Sequence, residues 1–192
     1  SAGVIRAAGV AGLAAGAISM AAGEYVSVRA HNDLVARELE KERLALAEDP
    51  EEETEELAQL YVERGMPLEQ AREMAKLVMQ NPELALEVHA REELGVDPHE
   101  MASPMVAATW SFVAFAIGAL LPLIPWFFSS STAIVWLSVA AGVAGAAGIG
   151  ATLALATANS VFRGVMRHVG IAVTAALTIH FVGVAIGSVV QM

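Results

Sequence analysis

Met20 and Glu24 stand four residues apart in the stretch GAISMAAGEYVSV, where apolar, small-residue sequence runs without a break into charged sequence. In a helix that spacing puts a thioether and a carboxylate on one face. The pair is a donor set of mixed softness, suited to Fe2+ or Mn2+, whereas an all-oxygen cage suits Mg2+ or Ca2+. The same spacing admits a plainer account: an interfacial glutamate that snorkels or pairs with Arg29, beside a methionine that fills space. Further on, ligand-type side chains recur at helical spacing as Glu38 and Glu42, Glu53 and Glu56, and His89 and Glu93. The Glu38–Glu42 pair, at i,i+4, costs an isolated helix roughly 0.2–0.5 kcal/mol, and three helices each offer a cation ligand-type side chains on one face. The competing account is a solvated acidic face. Glu51, Glu52, Glu53, Glu55 and Glu56 also sit where a helix N-terminus favours negative charge. Spacing alone leaves both accounts open, because no ligand motif of high specificity is present.

The elements that must position these residues are helices throughout, so the expected fold class is all-α, with polytopic membrane helices and an inserted cytoplasmic helical domain. Four apolar segments are long enough to span a bilayer, which takes roughly 20 residues. They run over about residues 4–28, 105–128, 133–158 and 165–190. Pro122 and Pro125 are expected to kink the second. Phe128 to Thr132 forms an uncharged turn, and Asn159 to His168 joins the last two spans. Gly142, Gly145, Gly148 and Gly150 in the third span, and Gly183 and Gly187 in the fourth, permit close helix approach. Tight packing within one subunit is the reading preferred for them. The domain division follows as 1–30, 31–100 and 101–192. Within 31–100 the first helix continues to about Glu48. Asp49–Pro50 and Asn81–Pro82 are cap-and-start signals, Pro67 opens a further helix, and Gly65 and Gly95 close two of them. Leu57, Leu60 and Tyr61, with Met74, Leu77 and Val78, have the spacing of a small packed core. Asp97 to Pro104 is the linker back into apolar sequence.

Composition agrees with this division. Of 192 residues, 56% are hydrophobic and none is cysteine, which excludes disulfides, zinc–thiolate sites and a cysteine nucleophile. All 21 acidic residues lie between Glu24 and Glu100, against eight basic ones in the same segment. An acidic module between apolar segments attracts cations and disfavours nucleic acid. If the spans alternate, Arg163 and Arg167 share a side with Arg29, Arg37 and Arg43, which the positive-inside rule makes the cytoplasm. Both present termini then lie outside. Ser1 opens within apolar sequence, with neither Met nor a basic leader, so the chain reads as a piece of a longer protein.

GAISMAAGEYVSV, followed by ARELEKER, an acidic helical insert and HAREELG before renewed apolar sequence, resembles the vacuolar iron transporter family in its bacterial form over nearly the whole chain. The resemblance implies five membrane helices and a homodimer, with a cytoplasmic metal-binding domain between the second and third helices. It also implies proton-coupled export of Fe2+ or Mn2+ from the cytosol, in this case across a bacterial plasma membrane. Partners would be the lipid bilayer, divalent ions and protons, with no organic cofactor and no enzymatic activity. Residues 1–28 would be the family's second helix, and the first, with its transport-site Asp, would be missing. Residue by residue, Met20 matches the pathway methionine, with Glu24 beside it. Glu42, Glu53, Glu56 and Glu93 match glutamates of the cytoplasmic site. Ala45 stands where some members have glutamate, and His89 where some have methionine. A neutral imidazole can replace the thioether for Fe2+, Mn2+ or Zn2+, and it makes binding more dependent on pH. His180, within the last span, is read as a neutral side chain bonded to a neighbouring helix in preference to a proton relay. A membrane-anchored metal sensor or buffer is the alternative function, and a structural membrane protein with a solvated insert is the third.

Overall fold

The computed structural model describes the backbone of residues 2–190 and the side chains of residues 2–187; Ser1, Gln191 and Met192, including the chain start discussed above, lie outside the described residues. The described residues form α-helices in the order α1 (Ala2–Glu48), α2 (Pro50–Glu63), α3 (Leu68–Met79), α4 (Pro82–Glu92), α5 (Pro104–Leu123), α6 (Pro125–Phe128), α7 (Thr132–Ala156) and α8 (Val161–Val190), with no strand among them. Four are long and apolar enough to cross a membrane: α1, α5, α7 and α8. The chain divides into two compact units, one of them Ala22–Ala108 and the other made of the first part of α1 with the helices after Ala108.

In the membrane-spanning unit the sharpest packing is between α7 and α8. A Cβ added to Gly150 would stand 2.6 Å from the Gly164 carbonyl oxygen, and one added to Gly164 would stand 2.5 Å from the Gly150 oxygen. Only glycine lets these backbones meet. By contrast, an added Cβ at Gly183 or Gly187 meets nothing within 4 Å, so the pair expected to pack within the subunit does not do so among the described residues. The expected second span is broken. Pro122 lies inside α5, and Pro125, with no N–H to give, starts the short helix α6. The carbonyls left over find side chains: Ser138 Oγ donates to Pro122 O at 2.5 Å, and Arg6 Nε donates to Trp126 O at 2.6 Å. The α7–α8 connection is shorter than expected. Thr157 caps α7, Ala158 turns with φ +51, and α8 already begins at Val161. Arg163, Arg167 and His168 therefore lie on the helix, and Gly164 N–H bonds Ser160 O at 3.0 Å.

The Ala22–Ala108 unit is built from local signals. Asp49 accepts from Glu52 N at 3.2 Å and Pro50 starts α2; Asn81 accepts from Glu83 N and Leu84 N, and Pro82 starts α4. Gly65 and Gly95 take the positive φ values, +96 and +65, that close α2 and α4. The core is Leu57 and Ala58 of α2, Ala71, Ala75 and Val78 of α3, and Ala85 of α4. Met74 and Leu77, expected in that core, are 44% and 60% exposed. The face carrying Ala71, Ala75 and Val78 turns inward instead, because alanine lets α3 lie closer to α2. Arg72 grips Glu55 across the α2–α3 pair with contacts of 2.6–3.2 Å. Asn32 Nδ2, on α1, donates to Ala102 O at 2.8 Å and ties the return linker to the helix that enters the unit.

Candidate metal centre

Three helices bring four ligand-type side chains together: Glu42 from α1, Glu53 from the first turn of α2, and His89 from the last turn of α4 with Glu93 at its C-cap. One donor atom from each lies within 4.8 Å of the others. His89 is fully buried. Its Nδ1 is 2.8 Å from Glu93 Oε1, 3.0 Å from Glu42 Oε1 and 3.6 Å from Glu53 Oε2. One ring nitrogen carries at most one proton, and its hydrogen bond goes to Glu93. Glu42 Oε1 is thereby left buried without a hydrogen bond, as is His89 Nε2 on the far side of the ring. Buried polar atoms are nearly always satisfied. Glu42 Oε1, facing the other three donors, is a buried acceptor that a cation could satisfy.

Electrostatics point the same way. Burial holds Glu42 above the ordinary carboxylate range, repulsion from Glu93 adds to it, and His89 opposes it. Glu53 is raised by burial and then by Glu42. Glu93 is raised by burial and then by Glu56. Two like charges about 5 Å apart repel by roughly 3 kcal/mol at an effective dielectric constant near 20. His89 offsets part of this at Glu42 and Glu53. Lys41 pairs with Glu38, Arg43 with Glu40, Arg72 with Glu55, Arg64 with Glu92, and Arg91 with Glu87 and Asp97. Among the described residues no Lys or Arg is paired with Glu42, Glu53 or Glu93. Three carboxylates and an imidazole nitrogen suit a divalent transition metal better than a soft monovalent one.

Not every residue singled out in the sequence joins this group. Glu56 is exposed on α2 and acts on the cluster through its field rather than as one of the four. Glu38 is engaged by Lys41 at 2.8 Å. Met20 and Glu24 are exposed on α1, and Arg29 pairs with Asp33 at 3.1 Å, not with Glu24. His180 is exposed and makes an edge contact with Phe181, with ring centroids 5.8 Å apart; the expected bond to a neighbouring helix is not among its described contacts. Sequence reading passed over Arg64 and Glu92, whose side chains pair across α2 and α4. The only local signal was an arginine directly before the glycine that ends α2.

A family model described as the VIT family matches residues 1–184. The chain belongs to the VIT family. It is 44% identical over 124 residues to the vacuolar iron transporter of Acanthamoeba castellanii, covering 65% of this chain and 47% of that protein. It is 31% identical over 125 residues to vacuolar iron transporter 2 of Oryza sativa subsp. japonica, covering 65% and 51%. With vacuolar iron transporter 1 of Arabidopsis thaliana it shares 29% over 126 residues, covering 66% and 50%. This VIT-family chain thus spans about half the length of the curated relatives it matches, and those relatives are named as transporters, not as enzymes.

Proposed function

We propose that this VIT-family membrane protein moves a divalent transition metal, Fe2+ or Mn2+, out of the cytosol in exchange for protons. Ala22–Ala108 would act on the cytoplasmic side as the module that collects the ion. The observation that carries the reading is the set of four donor atoms within 4.8 Å, with three carboxylates that no Lys or Arg pairs with among the described residues. An arriving dication would replace mutual repulsion among Glu42, Glu53 and Glu93 with attraction, and His89 would add a nitrogen donor. Glu56 would raise the local concentration of cations. Met20 and Glu24 on α1 would offer a thioether and a carboxylate to the ion in passage. The working form would be a homodimer in a bacterial plasma membrane.

A sensor or buffer is the second reading, and one observation favours keeping it. The four ligands belong to Ala22–Ala108 alone, so binding needs nothing from the membrane-spanning unit. Flux separates the two. The full-length protein in liposomes should carry Mn2+ in the direction opposite to proton flow down an imposed gradient, and Met20→Ala should slow this at equal incorporation. Mn2+ binding with no flux would support the buffer, and the absence of both would sink the two readings together.

A further inference from the structure

We infer that Arg64 is a positioning residue for the cation cluster: its pairing with Glu92 holds the last turn of α4 against α2 and thereby aims His89 and Glu93 at Glu42 and Glu53. The inference rests on the reading of that cluster as a divalent-cation site.

The apolar core holds α4 by fewer residues than it holds α2 and α3. Helix α4 has 11 residues and, with its C-cap Glu93, supplies half of the ligand set; it puts Ala85 into the apolar core with Val88 at the edge, and Ala90 is fully buried next to His89. The α2–α3 pair has five of the six core residues and the two-pronged Arg72–Glu55 contact. Within the cluster, the contacts of His89 with Glu42 and Glu53 draw α4 inward, and the repulsion between Glu93 and Glu42 works against them. Arg64 stands at the C-cap of α2, its own N–H bonded to Leu60 O, and Gly65 follows with φ +96 and gives its N–H to Val62 O. Its side chain reaches α4 at two places. One terminal nitrogen pairs with the Glu92 carboxylate, and the other lies 3.5 Å from the Glu92 carbonyl. The Glu92 side chain is 20% exposed, and its Oε2 is sealed from solvent. Arg64 itself is 54% exposed, so the pair is half-buried, and it is the second contact, to the Glu92 carbonyl, that restricts its geometry. Glu92 directly precedes Glu93 and lies three residues after His89, so the grip falls between the two ligands.

The sign of one substitution separates positioning from simple electrostatics. Arg64 is a cation near an acidic site. By Coulomb's law alone its removal makes the site more negative and tightens Mn2+ binding. Positioning demands the reverse. We expect Arg64→Gln, in the full chain in detergent, to weaken Mn2+ affinity about tenfold, the scale seen when an outer partner of a metal ligand is lost. Affinity is read from the spin-resonance signal of free Mn2+. The visible spectrum of bound Co2+ should change with it, which loss of stability alone would not cause. The reversed pair, Arg64→Glu with Glu92→Arg, keeps the net charge and should recover affinity to within about threefold. If Arg64→Gln does not fold, Arg64→Lys, which keeps the charge and loses the fork, carries the same expectation at smaller size. A wild-type chain that fails to bind Mn2+ overturns the cluster and this inference together. Wild-type binding with unchanged or tighter affinity in Arg64→Gln, or no recovery in the reversed pair, overturns the role of Arg64 alone.

Discussion

Glycine meets glycine where α7 crosses α8, and carboxylate approaches carboxylate where α1, α2 and α4 converge. At Gly150 and Gly164 the side chain has been removed so that two backbones can touch. Lipid gives apolar helices little reason to associate, so contact area and fit must supply it. In Ala22–Ala108 water supplies the driving force through Leu57, Val78 and the alanines around them, and part of that stability is set against a buried acidic cluster. One region is shaped wholly for cohesion. The other holds carboxylates whose mutual repulsion a proton or a bound cation would relieve.

The largest effect should come from removing the repulsion. Replacing Glu42, Glu53 and Glu93 together by glutamine should lower Mn2+ affinity by more than about 100-fold while raising the metal-free melting temperature. Calorimetric titration and thermal unfolding of the same sample check both halves. Unchanged affinity would end the comparison, and a fall in melting temperature would show that the carboxylates hold the fold instead of straining it. Next in size, Gly150→Val should destabilise the membrane-spanning unit by about 1–3 kcal/mol, since the neighbour is backbone and cannot move aside. Unfolding in detergent measures it, and Mn2+ affinity should stay at the wild-type value.

A pH titration sharpens the contrast further. Glu42, Glu53 and Glu93 are raised in the folded protein, so each binds its proton more tightly folded than unfolded. Their protonation favours the folded state, and their destabilisation is lost as pH falls through the raised values. The metal-free protein should therefore become more stable as pH is lowered from neutral. Glu40, Glu55 and Asp97 are lowered by Arg43, Arg72 and Arg91. Their contribution is lost only below the ordinary carboxylate range near about 4, which turns the curve down again. With Mn2+ bound the first limb should reverse, because protons compete with the ion. Identical limbs with and without Mn2+ would remove the cluster from the binding account. The smallest effect concerns the turn after α7. Ala158→Gly should stabilise by about 1 kcal/mol, because a φ of +51 is costly for a side chain and free for glycine.

Local signals were legible and distant ones were not. Asp49–Pro50 and Asn81–Pro82 act through atoms within three residues, and the positive φ of Gly65 and Gly95 depends only on the turn. Such features need no tertiary information to be read. Met74 and Leu77 were placed in the core by spacing alone, which cannot tell that alanines would form the closer contact. Gly150 was visible as one of a row of small residues. Its partner Gly164 lay in what read as a connection, because the arginines around it obscured the start of α8. In the cluster, spacing put His89 and Glu93 on one turn. That Glu42 and Glu53 belong with them came from the family resemblance, since the meeting of three helices leaves no trace in any one of them. Arg64 escaped for the same reason.

The bond from Asn32 to Ala102 bears on how such a protein is assembled over evolutionary time. Entry and exit of the acidic helices are held within one hydrogen bond of each other, so the 69 residues between them form a cassette. Closing a longer or shorter loop at that point changes the entropy only slowly with length, and insertions are best tolerated where the two ends already meet. Helices of different size, or carrying different ligands, can therefore be exchanged at this joint as a block, leaving the flanking spans to keep their own sequence.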